Sequence, residues 1–301
     1  MTCLALILLA GAAMVSPALA QDAGPAQAAP ASTIEGSLRH VVASTKSQTR
    51  YQIDVLRVDS TVVPVPPDFR LPVIYVLDGN SLFPLVSHMV NVNTSFSKVL
   101  PAVLVVAIGY PSDQAVSRAD NIRDHLSRRT RDLSPPTTIA TAAPPGSGGA
   151  ADSLAFINDD LKPFIAARYS VNREDQTLVG HSLGGLFTVY AFLNAPHAFT
   201  RYIAASPSLF WDAHALIKQA GTPSAHAARP PTQLFIAVGG LETKERMGQD
   251  MIGDAQSLVS VLQQQDVPGL HVSSRVFPDE NHISVIPAAL MRGLREVAAL
   301  R

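Results

Sequence analysis

One segment of the chain combines a hydroxyl nucleophile with small neighbours: Gly180-His181-Ser182-Leu183-Gly184, which fits the pattern G-x-S-x-G. It follows a short apolar run at 176–180 and precedes a nearly all-apolar run at 183–194, so we predict a strand, a tight turn and a helix. A serine on such a turn presents its hydroxyl above the sheet, and the helix N-terminus adds positive potential for an oxyanion. The context favours Ser182 as a nucleophile over a Gly/Ser turn that merely starts a helix.

A serine hydroxyl needs a base to accept its proton, and that base is usually histidine. In hydrolases with this turn, the chain order is serine, acid, histidine. Of the five histidines after Ser182, His282 alone lies in a polar loop between a predicted strand at 271–277 and the last helix. Loops at the carboxyl ends of parallel strands face the ligand. We therefore predict His282 as the base rather than as a structural histidine.

The acid that orients the base should follow a strand and precede the histidine. Glu242 comes directly after the predicted strand 233–238, which puts it at the carboxyl edge of the sheet, and it is the acid we predict. Asp279 and Glu280 are close to the base in sequence, but side chains so near along one loop seldom reach the same ring nitrogen. Asp212 is a further alternative, and a Ser–His dyad without an acid stays open.

An oxyanion hole requires two aimed backbone N–H groups. Leu183, the residue after the nucleophile, supplies one. The loop after the apolar run 73–77 brings backbone close to the same edge through Asp78-Gly79-Asn80. We predict that the N–H of Asn80 is the second donor.

These loops require a parallel sheet to bring them together. Residues 51–58 partly alternate apolar and polar side chains, which predicts a half-buried strand. The short runs at 73–77, 102–108, 176–180 and 233–238 are apolar on both faces, as in central strands covered by helices. Helical spacing appears at 153–168, 183–194 and 284–300. We predict one α/β domain over 35–301, with a mostly parallel central sheet covered by helices on both faces.

Arginines cluster at 123–131, in a chain that is otherwise close to neutral. Guanidinium groups bind carboxylates and catecholates in a bidentate manner, so these arginines, together with Asp78, are candidate substrate-binding residues. The alternative is a solvated helix face on which they pair with neighbouring aspartates. The arginines are Arg123, Arg128, Arg129 and Arg131, and the aspartates are Asp120, Asp124 and Asp132.

The segment 132–151, termed the Pro/Gly-rich insert below, contains four prolines and three glycines. A loop of this length in a compact domain is usually functional or disordered. We predict either a flexible lid near the site or a plain surface insertion.

The N-terminus predicts export. Residues 4–15 are apolar and precede Ala18-Leu19-Ala20, so 1–20 has the pattern of a secretory signal cleaved after Ala20, although it lacks the usual basic residues. A retained anchor or disordered tail is the alternative. Residues 21–34 are Ala/Pro/Gln-rich and are expected to be a disordered lead-in. No later run has 18 apolar residues, so we expect a secreted or periplasmic protein with no stable membrane insertion after cleavage.

Composition excludes several classes. The chain of 301 residues is 47% hydrophobic, unlike a disordered protein, and its net charge of −1 gives no basic surface for nucleic acid. The one cysteine, Cys3, lies in the predicted signal, so the mature chain has no disulfide or cysteine-bound metal. We expect no metal and no cofactor, and the sequence indicates no oligomeric state.

Several motifs together resemble the "putative esterase" family of α/β-hydrolases. They are Leu77-Asp78-Gly79, Gly180 to Phe187, Ala205-Ser206-Pro207-Ser208 and Asn281-His282-x-Ser284-Val285. The segments 129–135 and 161–165 look most like its trilactone siderophore (enterobactin and salmochelin) esterase branch. The resemblance implies an α/β-hydrolase fold from about residue 35 to the C-terminus.

The family's functional residues match positions already singled out. The resemblance implies Ser182 as nucleophile, His282 as base, and the amides of Leu183 and Asn80 as oxyanion donors. Relatives carry a glutamate where Glu242 stands, whereas some siderophore esterases use only serine and histidine.

The expected function is therefore an exported serine hydrolase that cleaves small carboxylic esters, including siderophore-type lactones, through an acyl-enzyme. The alternatives are an acyltransferase or peptidase on the same fold, and a non-catalytic binding protein that has kept a hydrolase fold.

Overall fold

The computed structural model describes residues 33–61, 64–96, 100–139, 143–222 and 230–298. All elements below belong to the unit Ile34–Arg301. The predicted signal peptide at 1–20 lies outside the described residues, as does the predicted lead-in up to residue 32. Within the described ranges, no helix is long and apolar enough to cross a membrane.

Eight strands in the described part of the chain form one sheet, in the order β1-β2-β4-β3-β5-β6-β7-β8. In chain order the strands are β1 (Ser37–Ala43), β2 (Arg50–Val58), β3 (Leu71–Val76), β4 (Val103–Gly109), β5 (Val171–His181), β6 (Arg201–Ala205), β7 (Thr232–Gly239) and β8 (Leu270–Phe277).

The sheet is mostly parallel, as the sequence predicts. Only the β1–β2 and β2–β4 pairs are antiparallel, whereas β4, β3, β5, β6, β7 and β8 run side by side in one direction. The carboxyl ends of these six strands therefore share one edge. The strand order changes direction at β3, and crevices at such a point are where open α/β sheets bind ligands.

Helices cover both faces of the sheet. They are α1 (Gly79–Ser95), α2 (Arg118–Leu133), α3 (Ala150–Ala155), α4 (Lys162–Ala166), α5 (Leu183–Asn194), α6 (Trp211–Ala220), α7 (Lys244–Met247), α8 (Met251–Gln264) and α9 (Val285–Ala298). A π-helical segment, Phe156–Leu161, joins α3 to α4.

Alternate strand residues point into two apolar layers. In β3, Val73 and Tyr75 face the layer that also contains α5 and α8, whereas Ile74 and Val76 face the layer that contains α1 and α9. All four are essentially inaccessible to solvent. Burial on both faces explains why the central strands are continuously apolar.

The structure corrects the single helix predicted over 153–168. The segment is divided into α3, the π-helical segment and α4, and it ends at Ala166. Pro163 provides a physical reason, because it has no N–H to donate to the carbonyl of Asp159 four residues earlier and its ring crowds that carbonyl.

The Pro/Gly-rich insert connects α2 to α3 and is attached at several described points. The Asp212 carboxylate accepts hydrogen bonds from the Thr137 hydroxyl (2.7 Å) and from the N–H groups of Thr138 (3.0 Å) and Ile139 (3.1 Å). The Trp211 indole N–H donates to the Pro135 carbonyl at 3.1 Å. Residues 135–139 of the insert are thus hydrogen-bonded to the start of α6, whereas residues 140–142 lie outside the described ranges.

Candidate active site

Ser182 lies on a tight turn between β5 and α5. Its backbone angles, φ 60° and ψ −117°, are unfavourable for a residue with a side chain. The turn is so tight that a Cβ at Gly180 would lie 2.1 Å from the carbonyl oxygen of Gly184. Only glycine fits at position 180, and this is the physical basis of the first glycine in the motif.

The Ser182 hydroxyl is backed by the turn that follows β6. Its Oγ lies 3.5 Å from Ser208 Oγ, and the Ser208 N–H donates to the Ser182 carbonyl at 3.2 Å. Within the described residues, Ser208 rather than His282 is the hydrogen-bond partner of this hydroxyl. Hydrogen bonds between a nucleophile and its base are often long in unliganded enzymes, so this geometry is compatible with the predicted pairing of Ser182 with His282.

Glu242 and His282 meet at the same edge of the sheet. His282 Nδ1 lies 2.7 Å from Glu242 Oε2, and the glutamate is fully buried. Its other oxygen, Oε1, accepts hydrogen bonds from the Ser206 hydroxyl and the Gly239 N–H, both at 2.6 Å. Burial opposes ionisation of this carboxyl, but the hydrogen bonds from His282, Ser206 and Gly239 outweigh it and lower the pKa of Glu242.

The loop that carries His282 packs directly on the strand end that carries Glu242. A Cβ at Gly239 would lie 2.3 Å from the carbonyl oxygen of Glu280, so a side chain there would separate the two loops. The Leu241 N–H donates to that same carbonyl at 3.0 Å. The absence of a side chain at Gly239 therefore allows Glu242 and His282 to come into contact.

Of the other acids considered from the sequence, Asp212 binds the Pro/Gly-rich insert. Among the described contacts, neither Asp279 nor Glu280 has a side-chain hydrogen bond to His282. Of the four acids considered, Glu242 is the one whose side chain contacts His282.

His181 is a neighbour of the base that the sequence analysis does not single out. Its Nε2–H donates to the His282 carbonyl at 2.7 Å, and the two rings lie 4.6 Å apart. Burial, together with the nearby His282, lowers the pKa of His181 to about 4. His181 is therefore neutral at physiological pH, and its hydrogen bond holds the backbone of His282 in position.

The two predicted oxyanion donors lie at the first turns of α5 and α1. N–H groups at these positions have no acceptor within their own helix. The Asn80 side chain is held at both ends, because its Nδ2 donates to the Tyr110 carbonyl (2.8 Å) and its Oδ1 accepts from the Tyr110 N–H (2.7 Å). This clamp fixes the backbone of Asn80 beside the cleft, while Leu183 directly follows the nucleophile.

Ser182, His282, His181 and Asn80 open into one cleft of about 370 Å³. Asp78 and Arg129 also line it. They bind each other through two hydrogen bonds, Arg129 Nε to Asp78 Oδ1 (2.7 Å) and Nη2 to Oδ2 (2.9 Å). Both charges at this point are therefore already paired.

The remaining arginines of the 123–131 cluster do not line this cleft. Arg128 pairs with Asp124 (2.8 Å), Arg131 pairs with Asp132 (2.6 Å), and Arg123 pairs with Asp120. These pairs fit the alternative interpretation of the cluster, a solvated helix face on which the arginines pair with neighbouring aspartates. The described residues of the Pro/Gly-rich insert also lie outside the lining of the cleft.

A family model described as "Putative esterase" matches residues 59–282, a span that includes Ser182, Glu242 and His282. The chain belongs to this esterase family. Ester hydrolysis is the activity that membership assigns to it.

Similar proteins cover most of this esterase. It is 33% identical to the ferri-bacillibactin esterase BesA of Bacillus subtilis over 87% of this chain and 90% of that protein. It is 30% identical to the siderophore triacetylfusarinine C esterase of Aspergillus fumigatus over 74% of this chain and 80% of that protein. Among solved structures, the BES protein from Bacillus cereus superimposes with a TM-score of 0.75 at 28% identity, over 89% of this chain and 96% of that one.

The turn after β6 carries two neighbours of the candidate site that the sequence does not reveal. Ser206 donates to Glu242, Ser208 contacts Ser182, and both serines are buried. Their segment is part of the family motif, but nothing in the letters Ser-Pro-Ser indicates which group each hydroxyl meets. That information depends on how β6 lies between β5 and β7.

Proposed function

We propose that this esterase is a serine hydrolase that works through an acyl-enzyme on siderophore-type esters. Ser182 attacks the ester carbonyl and its proton passes to Nε2 of His282. The negative oxygen of the tetrahedral intermediate accepts hydrogen bonds from the N–H groups of Leu183 and Asn80. When the intermediate collapses, the bond to the alcohol breaks and His282 returns the proton to the leaving oxygen.

In the second half of the reaction, water replaces the alcohol. His282 takes a proton from the water, the resulting hydroxide adds to the acyl carbonyl, and collapse returns the proton to Ser182. Glu242 stays ionised throughout and stabilises the imidazolium that forms twice in each cycle. This reaction needs no group other than the side chains and amides already named.

The single observation that carries the proposal is the hydrogen bond between Glu242 and His282 beside a strained Ser182. The Glu242 carboxylate is fully buried, and it is paired with a histidine that lines the cleft beside Ser182. Perturbed titratable groups in a cleft are typical of active sites. The same arrangement argues against a non-catalytic binding protein.

The substrate class rests on the relatives. BesA of Bacillus subtilis is a ferri-bacillibactin esterase, and the Aspergillus fumigatus protein is a triacetylfusarinine C esterase. Both names describe siderophores, and both proteins align with most of this chain. We extend that substrate class, esters of siderophores, to this esterase.

The test is hydrolysis of p-nitrophenyl acetate and of a catecholate trilactone, with products identified by mass spectrometry. Wild-type protein should release free acid from both, and Ser182→Ala should lose at least a thousandfold in kcat/KM. Ser257→Ala, at an exposed serine on α8, is the matched control and should keep wild-type rates. Normal turnover by Ser182→Ala would overturn the mechanism, and acyl transfer to an added alcohol in place of hydrolysis would indicate an acyltransferase.

Export is part of the proposal. It rests on the apolar run at 4–15 and on Ala18-Leu19-Ala20, which fits a signal cleavage site. Expression of the full chain in a bacterium, followed by N-terminal sequencing of the periplasmic fraction, should give a chain that starts at Gln21. An uncleaved chain retained in the cytoplasm would contradict export without affecting the catalytic proposal.

A further inference from the structure

One wall of the cleft is apolar although the helix that forms it is strongly charged. On α2, the residues that line the cleft are Ile122, His125, Leu126 and Arg129, which follow one helical stripe. Ile122 is 47% exposed and Leu126 is 53% exposed. The other charged side chains of α2 lie outside the lining.

A second apolar group faces the same space from the start of α9. Ile283 directly follows the base and is 67% exposed, and Ile286 lies one turn further along. Exposed large aliphatic side chains that converge on one cleft mark a binding surface, because single scattered ones are ordinary on any protein. These four isoleucine and leucine residues, termed the aliphatic wall below, surround the mouth of the catalytic cleft.

Among its described lining residues, the cleft also lacks an unpaired lysine or arginine. Among the described residues that line it, Arg129 is the only lysine or arginine, and its guanidinium is held by Asp78 through both oxygens. An anionic group that entered would leave water and gain no free lysine or arginine as a partner, which is unfavourable. An apolar group that entered would cover the aliphatic wall, which is favourable.

We infer that this esterase selects esters whose cleft-bound part is uncharged and apolar, and that Ile122 and Leu126 set this preference. The inference rests on the proposed function and refines its substrate class. Among siderophores, it favours iron-free catecholate lactones and uncharged hydroxamate esters over a ferric tris-catecholate, which has a net negative charge. The arginines beside the site do not serve as anion receptors, since each is paired with an aspartate.

A matched pair of chromogenic substrates tests this inference. p-Nitrophenyl butyrate and the p-nitrophenyl monoester of succinate differ mainly by a terminal methyl against a terminal carboxylate. For wild-type protein, kcat/KM should be at least about tenfold higher for the butyrate, the size of effect that one well-placed apolar contact produces. The iron-free and ferric forms of one catecholate trilactone should follow in the same order.

Two variants assign the preference to the wall. Leu126→Arg places a free cation in the cleft and should reduce the butyrate-to-succinate ratio about tenfold. Leu38→Arg is the matched control, because Leu38 is also a leucine, is 56% exposed, and lies on the edge strand β1 away from the cleft. The control should leave the ratio unchanged.

Equal rates for the two esters, a faster anionic ester, or the same change in both variants would overturn the inference. Each of these results requires a working enzyme, so the proposed function would stand. A protein that hydrolyses neither ester and does not react with a fluorophosphonate at Ser182 would contradict the proposed function itself, and with it the inference.

Discussion

Replacing Glu242 by glutamine distinguishes a Ser–His–Glu catalytic triad from a Ser–His dyad. The side chain is fully buried and accepts three hydrogen bonds, from Ser206, Gly239 and His282. In the Glu242→Gln variant, the amide oxygen can keep the first two. The amide NH2 then faces Nδ1 of His282 and favours the tautomer with the proton on Nε2, which cannot accept a proton from Ser182.

The magnitude follows from the geometry. The imidazolium and the carboxylate are joined by a contact of 2.7 Å. Coulomb's law with an effective dielectric constant of about 20 gives about 6 kcal/mol for opposite charges at that distance. At about 1.4 kcal/mol for each factor of ten, this corresponds to about four decades in kcat. Water that reaches His282, whose side chain is 19% exposed, screens part of this interaction, so we expect a loss of about 10³ to 10⁴ in kcat.

The assay is steady-state hydrolysis of p-nitrophenyl acetate at pH 7.5, together with circular dichroism to verify folding. Glu245→Gln is the matched control, because Glu245 is an exposed glutamate three residues further along. It should retain wild-type kcat. A folded Glu242→Gln protein that keeps more than a tenth of wild-type kcat would refute the role of Glu242 and favour a Ser–His dyad.

Three further predictions follow from neighbouring contacts. The pKa of His181 in the folded protein, about 4, lies below its unfolded value of about 6.5. Its contribution to the unfolding free energy is therefore complete above pH 6.5 and falls by about 3 kcal/mol toward pH 4. In urea unfolding measured across pH, His181→Gln should flatten that fall, and an unchanged profile would contradict the prediction. Gly180→Ala places a Cβ against the Gly184 carbonyl, so it should lower the unfolding free energy by about 3 kcal/mol and abolish activity. A urea midpoint equal to that of the wild type would contradict the tight turn at this position. Asp212→Ala removes the acceptor of the hydrogen bonds that hold the Pro/Gly-rich insert, so proteolysis within the insert should become faster. The kcat/KM on p-nitrophenyl butyrate should stay within about twofold of wild type. An unchanged rate of proteolysis would contradict the role of Asp212 in holding the insert.

Most of the parallel part of the sheet could be predicted because its strands are buried on both faces. Short, continuously apolar runs such as 73–77 and 102–108 are typical of strands in the centre of a parallel sheet. Among the elements that were not predicted are the short parallel strand β6, the edge strand β1 and the helix α2. Strand β1 has an irregular mixture of exposed and half-buried residues, and α2 is mostly polar, so neither has a strong apolar period.

The catalytic residues could be proposed because they follow the ends of strands, and the apolar runs of the sequence show where those strands end. Ser182, Glu242 and His282 each follow a recognisable strand, and chain order restricts the choice. The partners of the arginines were not predictable in the same way. Arg129 meets Asp78 across 51 residues of sequence, and this contact depends on how α2 lies over the end of β3.

The identity of the nucleophile tests the central claim most directly. Incubation of the wild-type protein with diisopropyl fluorophosphate, followed by proteolysis and tandem mass spectrometry, should give one adduct, on Ser182, in parallel with complete loss of esterase activity. The Ser182→Ala variant should acquire no adduct. Full activity in a protein modified at Ser182, or an inactivating adduct on a different residue, would contradict the claim that Ser182 is the nucleophile of this esterase.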